Sequence, residues 1–196
     1  MERIVRSLAV LLLAGLWIAS PRIARSEGIP EIFAEVVPWD ALNGGIVCPP
    51  NPTPLPASIA QITIRNSLGN PIPGLSVVVL VTQLSLPMCS EFTGVTDSQG
   101  HVDIVCGAAG CAHHVPGALV IKANGVTIRV YQNCKSPDFD GASGNGAVGL
   151  PDLIAFAREF NGQSPPSCHD YTNDGLCNLA DLTIFGPAFS RALHCK

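Results

Sequence analysis

Residues 170–181 read Asp-Tyr-Thr-Asn-Asp-Gly-Leu-Cys-Asn-Leu-Ala-Asp, and they carry oxygen atoms at regular intervals. Side-chain oxygens occupy positions 1, 3, 5, 9 and 12, and the main-chain carbonyl of position 7 adds another. Gly at position 6 permits the sharp turn that directs these oxygens inward. Calcium prefers about six to eight such oxygens. The spacing therefore predicts a calcium loop, loop 2, whose ligands are Asp170, Thr172, Asp174, Leu176, Asn178 and Asp181.

A related segment, loop 1, precedes loop 2 at an offset of 29 residues. Asp138 and Asp140 take positions 1 and 3 only if residues 142–144 are an insertion before Asn145. Without a gap, positions 1 and 3 are Gly141 and Ser143, which leaves two alternatives open. Asp152 closes the loop in both. The predicted ligands of loop 1 are Asp138, Asp140, Asn145 and Asp152.

An apolar stripe follows each loop. Leu182, Phe185 and Phe189 recur with helical spacing, which predicts an amphipathic helix after loop 2 that Pro187 interrupts. Residues 153–160 predict the matching helix after loop 1. The C-terminal third is therefore expected to consist of two loop–helix repeats.

These two repeats, each without the entering helix of a full EF-hand, resemble the dockerin family. The resemblance covers about residues 136–195 and is most specific in loop 2, with Leu182 following. It implies a small α-helical calcium-binding module over 136–196 that docks to a cohesin-type module of another extracellular protein. It also implies a link to polysaccharide breakdown. The partner contacts implied by the resemblance come from the helices and from Leu150-Pro151 and Leu179-Ala180.

The middle of the chain has the pattern of short strands. Asn124-Gly125 is a strong hairpin signal, and Gly100 can supply the positive φ of a hairpin between residues 92–96 and 101–106. Such closely spaced strands favour a β-sandwich. The predicted strands, rich in β-branched and apolar residues, are 59–65, 75–82, 92–96, 101–106, 119–123 and 126–131.

Residues 69–77 (Gly-Asn-Pro-Ile-Pro-Gly-Leu-Ser-Val) and 96–102 (Thr-Asp-Ser-Gln-Gly-His-Val) are similar to motifs of the bacterial Ig-like, invasin-type repeat family. The resemblance implies an Ig-like β-sandwich over 58–134, preceded by a Pro-rich lead-in over 27–57; a start of the sandwich near residue 30 stays open. The expected fold is thus a mainly β Ig-like sandwich joined to a small α-helical dockerin-like module.

The N-terminus has the pattern of a secretory signal peptide. Arg3 and Arg6 precede the apolar run 8–19, which is too short to span a bilayer. Small residues at 24 and 26 predict cleavage after Ser26, so that the signal peptide covers 1–26; cleavage at 19 or 20 and an uncleaved anchor are alternatives. No membrane span is expected after cleavage, and the protein is expected to be secreted or at the surface of a bacterial cell.

The charge balance excludes nucleic acid as a partner. Cleavage removes four Arg and one Glu from the 11 basic and 15 acidic residues, leaving 7 and 14 and a net charge of −7. Nucleic-acid binding requires clustered cations, which are missing. Seven of the acidic residues lie in the last 61 residues, and this concentration of negative charge favours a cation-binding region there.

The chain has eight cysteines, and an even number in an exported protein predicts disulfides. Five precede residue 136 and three follow it, so complete pairing requires a link between the two regions; otherwise each keeps a free thiol. We favour the pair Cys168–Cys195. A zinc site at Cys106, Cys111, His113 and His114 is a less favoured alternative to a disulfide-tied loop.

Together these features predict an exported, non-enzymatic protein that binds calcium and docks to an extracellular partner. One alternative is a surface adhesin whose Ig-like module binds a ligand while calcium is structural. The other is a small polysaccharide-acting enzyme. The enzyme is disfavoured because carboxylates outside the C-terminal third are few and no cleft-forming domain is evident.

Overall fold

In the part of the chain that the structure describes, the protein is mainly β, with three sheets and only short helices, as the sequence predicts at this coarse level. The structure is a computed structural model that describes residues 32–82 and 88–196. The predicted signal peptide lies outside the described residues. The elements are β1 (Phe33–Val37), α1 (Trp39–Leu42), β2 (Gly45–Ile46), a 3-10 turn (Pro56–Ser58), β3 (Ile59–Arg65), β4 (Ser76–Val81), β5 (Thr93–Val95), β6 (His101–Val105), β7 (Cys111–Ala112), β8 (Leu119–Ala123), β9 (Val126–Tyr131), β10 (Cys134–Lys135), α2 (Leu150–Phe160) and α3 (Leu179–Ser190).

Two antiparallel sheets enclose the first hydrophobic core, the β core. One has the order β1-β3-β6, and the other β5-β4-β8-β9. In β3, Ala60, Ile62 and Ile64 alternate with more exposed residues, so one face of the strand points into the β core. The 124–125 turn has positive φ at both residues, as a tight hairpin between β8 and β9 requires.

The prediction of a hairpin between residues 92–96 and 101–106 is wrong. The tight turn forms, with Gly100 at φ 70° and its amide donating to the Asp97 carbonyl at 3.0 Å. However, β5 pairs with β4 while β6 pairs with β3, so the chain passes from one sheet to the other at this turn. Turn chemistry predicts a reversal of direction, but the strand partners depend on tertiary packing.

The Pro-rich segment contributes to both halves of the molecule. β1 pairs with β3 along its whole length, from Phe33–Arg65 to Val37–Gln61. Further along, β2 joins β10 and β7 in a small third sheet. Ile46, Cys48 and Leu55 then pack against the C-terminal helices rather than in the β core. From residue 32 onward, the lead-in is therefore part of the packed structure.

A second hydrophobic core, the junction core, joins the N-terminal segment to the C-terminal third. Its centre is a pair of stacked rings, Phe156 of α2 and Phe185 of α3, whose centroids are 4.5 Å apart. These are equivalent residues of the two sequence repeats. The buried members of the junction core are Ile46, Cys48, Leu55, Val148, Phe156, Tyr171, Cys177, Phe185, Ala188 and Leu193.

Helix α3 does not break at Pro187, contrary to expectation, and continues to Ser190. A proline in a helix loses one amide hydrogen bond, but Phe185 and Ala188 on either side are buried in the junction core. We infer that this packing outweighs the lost bond. None of the helices among the described residues combines the length and the apolar character that crossing a bilayer requires.

Both disulfides link the β region to the C-terminal third, and the predicted Cys168–Cys195 pair is wrong. Cys89 bonds to Cys195, and Cys111 bonds to Cys168. The other four cysteines (Cys48, Cys106, Cys134 and Cys177) are buried free thiols. Spacing along the chain suggested a local pair, whereas the fold places each partner beside a residue 57 or 106 positions away.

Candidate metal centre

Loop 2 curls around the buried carboxylate of its first residue. Asp170 is 3% exposed. Its Oδ1 accepts the Asp174 amide at 3.2 Å, and its Oδ2 accepts the Gly175 amide at 3.0 Å. Gly175 has φ 86°, a conformation that glycine adopts without strain. The turn thus brings positions 1 and 5 of the loop together.

Helix α3 delivers the last residue of loop 2 to the same place. Asp181, fully buried, is the third residue of the helix, and its Oδ2 accepts the Asn178 amide at 2.9 Å. Its Oδ1 accepts the Thr172 amide at 3.0 Å and lies 3.3 Å from Thr172 Oγ1. The same hydroxyl is 3.4 Å from Asp170 Oδ1. Positions 1, 3 and 12 therefore converge.

The remaining predicted ligands of loop 2 lie nearer the surface. Asp174 is exposed; its Oδ1 accepts the Leu176 amide at 2.8 Å, and its Oδ2 lies 3.3 Å from Asn178 Nδ2. Asn178 caps α3 by accepting the Ala180 amide at 2.8 Å. The Leu176 side chain is exposed. Positions 5, 7 and 9 therefore form the outer side of the loop.

Loop 1 repeats this hydrogen-bond pattern with three additional residues. Asp138 Oδ1 accepts the Asn145 amide at 2.9 Å, as Asp170 accepts that of Asp174. Asp152 Oδ2 accepts the Gly149 amide at 2.7 Å, as Asp181 accepts that of Asn178. Asp138 is therefore the structural equivalent of Asp170, which corresponds to the gapped alignment of the repeats.

Asp140 is placed differently from the other predicted ligands of loop 1. It is exposed, and its Oδ1 accepts the amides of Ala142 and Ser143, both at 2.9 Å. These hydrogen bonds, with that of Ser143 the stronger influence, hold the pKa of Asp140 below its usual value. Asp140 organises the three-residue insertion.

Two buried carboxylate oxygens of loop 1 have no hydrogen-bond partner. Asp138 and Asp152 are both fully buried, yet no donor within the described residues reaches Asp138 Oδ2 or Asp152 Oδ1. Burial raises the pKa of each carboxyl beyond what its amide hydrogen bonds offset, and nearby negative charge raises both further. Buried polar atoms without partners are rare and costly, so the two oxygens are candidate ligands for a cation.

A metal site built only from His, Cys, Asp and Glu is not found in residues 32–82 and 88–196, where no three such side chains group around a common point. The zinc alternative is not supported, because Cys111 is bonded to Cys168 while Cys106 is a separate buried thiol. Calcium uses mixed oxygen ligands, including amides, hydroxyls and main-chain carbonyls. The side chains in loops 1 and 2 are of this kind.

A buried polar network that the sequence did not single out connects the two loops. Glu159 of α2 accepts the Ser167 amide at 2.7 Å, and its Oε1 lies 2.8 Å from His169 Nδ1. Burial acts to raise the pKa of Glu159, but these hydrogen bonds outweigh it and the pKa is lowered. His169 Nε2 lies 3.2 Å from the Phe139 carbonyl oxygen of loop 1. The network joins α2 to both loops.

A polar cavity of about 360 Å³ lies between the β region and loop 2. His113 and His114 of the β region and Asn173 and Asp174 of loop 2 are among the residues that line it. His113 Nδ1 and Asn173 Oδ1 are buried without a hydrogen-bond partner in the described structure. Burial, assisted by Lys135 and His114, lowers the pKa of His113 and favours its neutral form. The cavity could therefore accept a ligand through hydrogen bonds.

Comparisons with known proteins found no matching family model, no similar curated protein and no similar solved structure.

Proposed function

We propose that this chain is an exported, non-enzymatic docking protein, in which an Ig-like β-sandwich is joined to a dockerin-like module that folds around calcium. The observation that carries the proposal is the pair of buried, unpartnered oxygens on Asp138 and Asp152. A dication would neutralise the two carboxylates and bind the oxygen of each that no donor of the described chain reaches. The two cross-linking disulfides agree with an oxidising, extracellular location.

Calcium would be held by the oxygen-bearing residues of both loops. Loop 1 would supply Asp138, Asn145 and Asp152, with Asp140 at the edge, and loop 2 would supply its six predicted ligands. Bound calcium contributes positive charge and coordination. The chain itself positions the ligands through the amides of positions 5 and 6 and the first turn of each helix. Since the sites exist only in the folded state, calcium would stabilise the fold.

The proposed calcium site predicts opposite effects of Asp152→Asn with and without calcium. Without calcium, the variant should be about 1 kcal/mol more stable than the wild type because a buried, unpaired charge is removed. At a calcium concentration about a hundredfold above the Kd, it should lack about 2.7 kcal/mol of stabilisation from loop 1. Urea unfolding in calcium and in EDTA measures both effects, and calorimetry counts the sites.

Asp103→Asn is the matched control, because Asp103 lies on β6 with an exposed side chain next to His101. It should leave calcium stoichiometry unchanged. Equal calcium binding by the wild type and by Asp152→Asn would contradict the proposal that loop 1 binds calcium.

The docking surface would be formed by equivalent residues of the two repeats. Leu150 and Leu179 follow position 9 of their loops and are 63% and 69% exposed, at the starts of α2 and α3. Ile154 and Leu182 extend the exposed apolar surface along the helices. Exposed apolar patches of this kind often mark protein interfaces. A cohesin-type extracellular module with an apolar groove would fit this surface.

We expect Leu150→Glu combined with Leu179→Glu to weaken partner binding by at least about a hundredfold, since buried charge replaces apolar contact. The test uses the oxidised full chain as bait for cohesin-type modules, in calcium and in EDTA, with biolayer interferometry as readout. Leu68→Glu is the control, because Leu68 is 82% exposed in the β3–β4 turn. Binding that survives the double variant or EDTA would contradict this docking mode.

The polar cavity favours a second candidate, an adhesin in which calcium is structural. In that case a hydrogen-bonding ligand would occupy the cavity beside His113 and Asn173. Loss of ligand binding in Asn173→Ala, with docking unaffected, would favour this alternative.

A further inference from the structure

We propose that Lys135 is a built-in counter-cation for loop 2, which keeps the loop folded without calcium and makes it the weaker of the two calcium sites. The inference rests on the proposed calcium-binding function and concerns the order in which the loops fill. Loop 1, which has no such buried cation among residues 32–82 and 88–196, would bind calcium first.

Lys135 is one of the largest side chains that is completely buried. It lies in β10, between β2 and β7, and its Nζ donates a hydrogen bond to the main-chain carbonyl of Asp170, the first residue of loop 2. Lysine is almost never fully buried without a compensating partner. A single carbonyl oxygen accepts only one hydrogen bond from the ammonium group. Nearby negative charges are therefore needed to stabilise the buried positive charge of Lys135.

The charges that face Lys135 are carboxylates of the C-terminal third. Burial lowers the pKa of Lys135, while the negative charges of Asp170, Glu159 and Asp181 oppose this effect. None of the three is in direct ion-pair contact with Nζ among the described residues. Glu159 also lies 2.8 Å from His169 Nδ1. The other two carboxylates, those of Asp170 and Asp181, stand at positions 1 and 12 of loop 2, so Lys135 faces both ends of that loop.

The two loops differ in how their buried carboxylates are satisfied. In loop 2, both oxygens of Asp170 and both oxygens of Asp181 accept hydrogen bonds from the loop itself. In loop 1, one oxygen of Asp138 and one of Asp152 have no partner in the described structure. Each loop contains three aspartates, so their formal charges are equal. Lys135 is a buried cation that acts on loop 2.

A fixed positive charge beside a calcium site has two effects. It reduces carboxylate repulsion in the calcium-free loop, which stabilises the folded shape. It also repels an incoming dication, and this repulsion is strong in a buried environment. Calcium affinity at loop 2 is therefore reduced relative to loop 1, where binding relieves the repulsion between Asp138 and Asp152.

The test isolates loop 2 with Asp152→Asn and then adds Lys135→Met. Calorimetric titration with calcium should show that the second substitution tightens binding about tenfold. In EDTA, the same substitution should lower the melting temperature measured by circular dichroism. Unchanged or weaker calcium binding in a folded Lys135→Met chain would overturn the proposal.

If the Lys135→Met chain does not fold, the proposal can still be tested with variants that retain Lys135. Asp181→Asn leaves only loop 1, and Asp152→Asn leaves only loop 2; we expect loop 1 to bind calcium at least about tenfold more tightly. Equal calcium affinities of the two loops, or tighter binding at loop 2, would overturn the proposal that Lys135 acts as a counter-cation. A wild type without any calcium binding would instead overturn the proposed function on which it depends.

Discussion

Replacing Cys111 and Cys168 together by alanine should lower the free energy of unfolding by about 4 kcal/mol, the chain-entropy value for a cross-link that encloses 57 residues. The bond joins β7 to the segment that leads into loop 2. Without it, the junction core and the remaining Cys89–Cys195 disulfide would hold the C-terminal third against the β region. The measurement is urea unfolding of the oxidised protein in excess calcium.

Cys177→Ala is the control for the loss of a buried thiol, because Cys177 is free and packs in the junction core. It should cost much less than the double substitution. If the free energy of unfolding of the double variant lies within about 1 kcal/mol of the wild-type value, the cross-link does not hold the two regions together.

Phe185→Ala should destabilise the protein by about 4 kcal/mol, within the range measured for large-to-small substitutions in cores. Phe185 is 1% exposed and stacks on Phe156 at an interplanar angle of 11°. Its removal leaves a cavity between α2 and α3, which carry Asp152 and Asp181, the closing aspartates of the two proposed calcium loops. Calcium affinity should therefore fall together with stability, as a titration of the variant would show.

Phe160→Ala is the matched comparison, since Phe160 is an aromatic residue at the end of α2 that is 36% exposed. We expect it to cost no more than about 1.5 kcal/mol, because less apolar surface leaves a packed environment. Equal costs for the two substitutions would contradict the central position of Phe185.

Local structure was predictable wherever the side chains themselves determine it. The bounds of β3, β8 and β9 agree with the runs 59–65, 119–123 and 126–131, in which β-branched residues are frequent. Helix α2 begins at Leu150, three residues before the predicted start at 153. The helical stripes reflect a period that requires no knowledge of the rest of the chain.

Long-range pairing could not be predicted from the same patterns. The two-residue strands β2, β7 and β10 form only because distant segments meet, and nothing in Gly45–Ile46 or Cys134–Lys135 distinguishes them from a loop. The disulfide partners, the sheet crossing at Gly100 and the burial of Lys135 depend on the same tertiary contacts. In the candidate metal centre, spacing predicted the oxygen ligands but could not show which carboxylates lack a hydrogen-bond partner.

The chain order of the two disulfides has a consequence for biosynthesis. Cys111 and Cys89 find their partners 57 and 106 residues later in the chain. During synthesis, Cys111 must therefore stay unpaired until Cys168 emerges, and Cys89 must stay unpaired until Cys195 emerges. A thiol oxidoreductase able to undo premature bonds should consequently increase the yield of correctly oxidised protein.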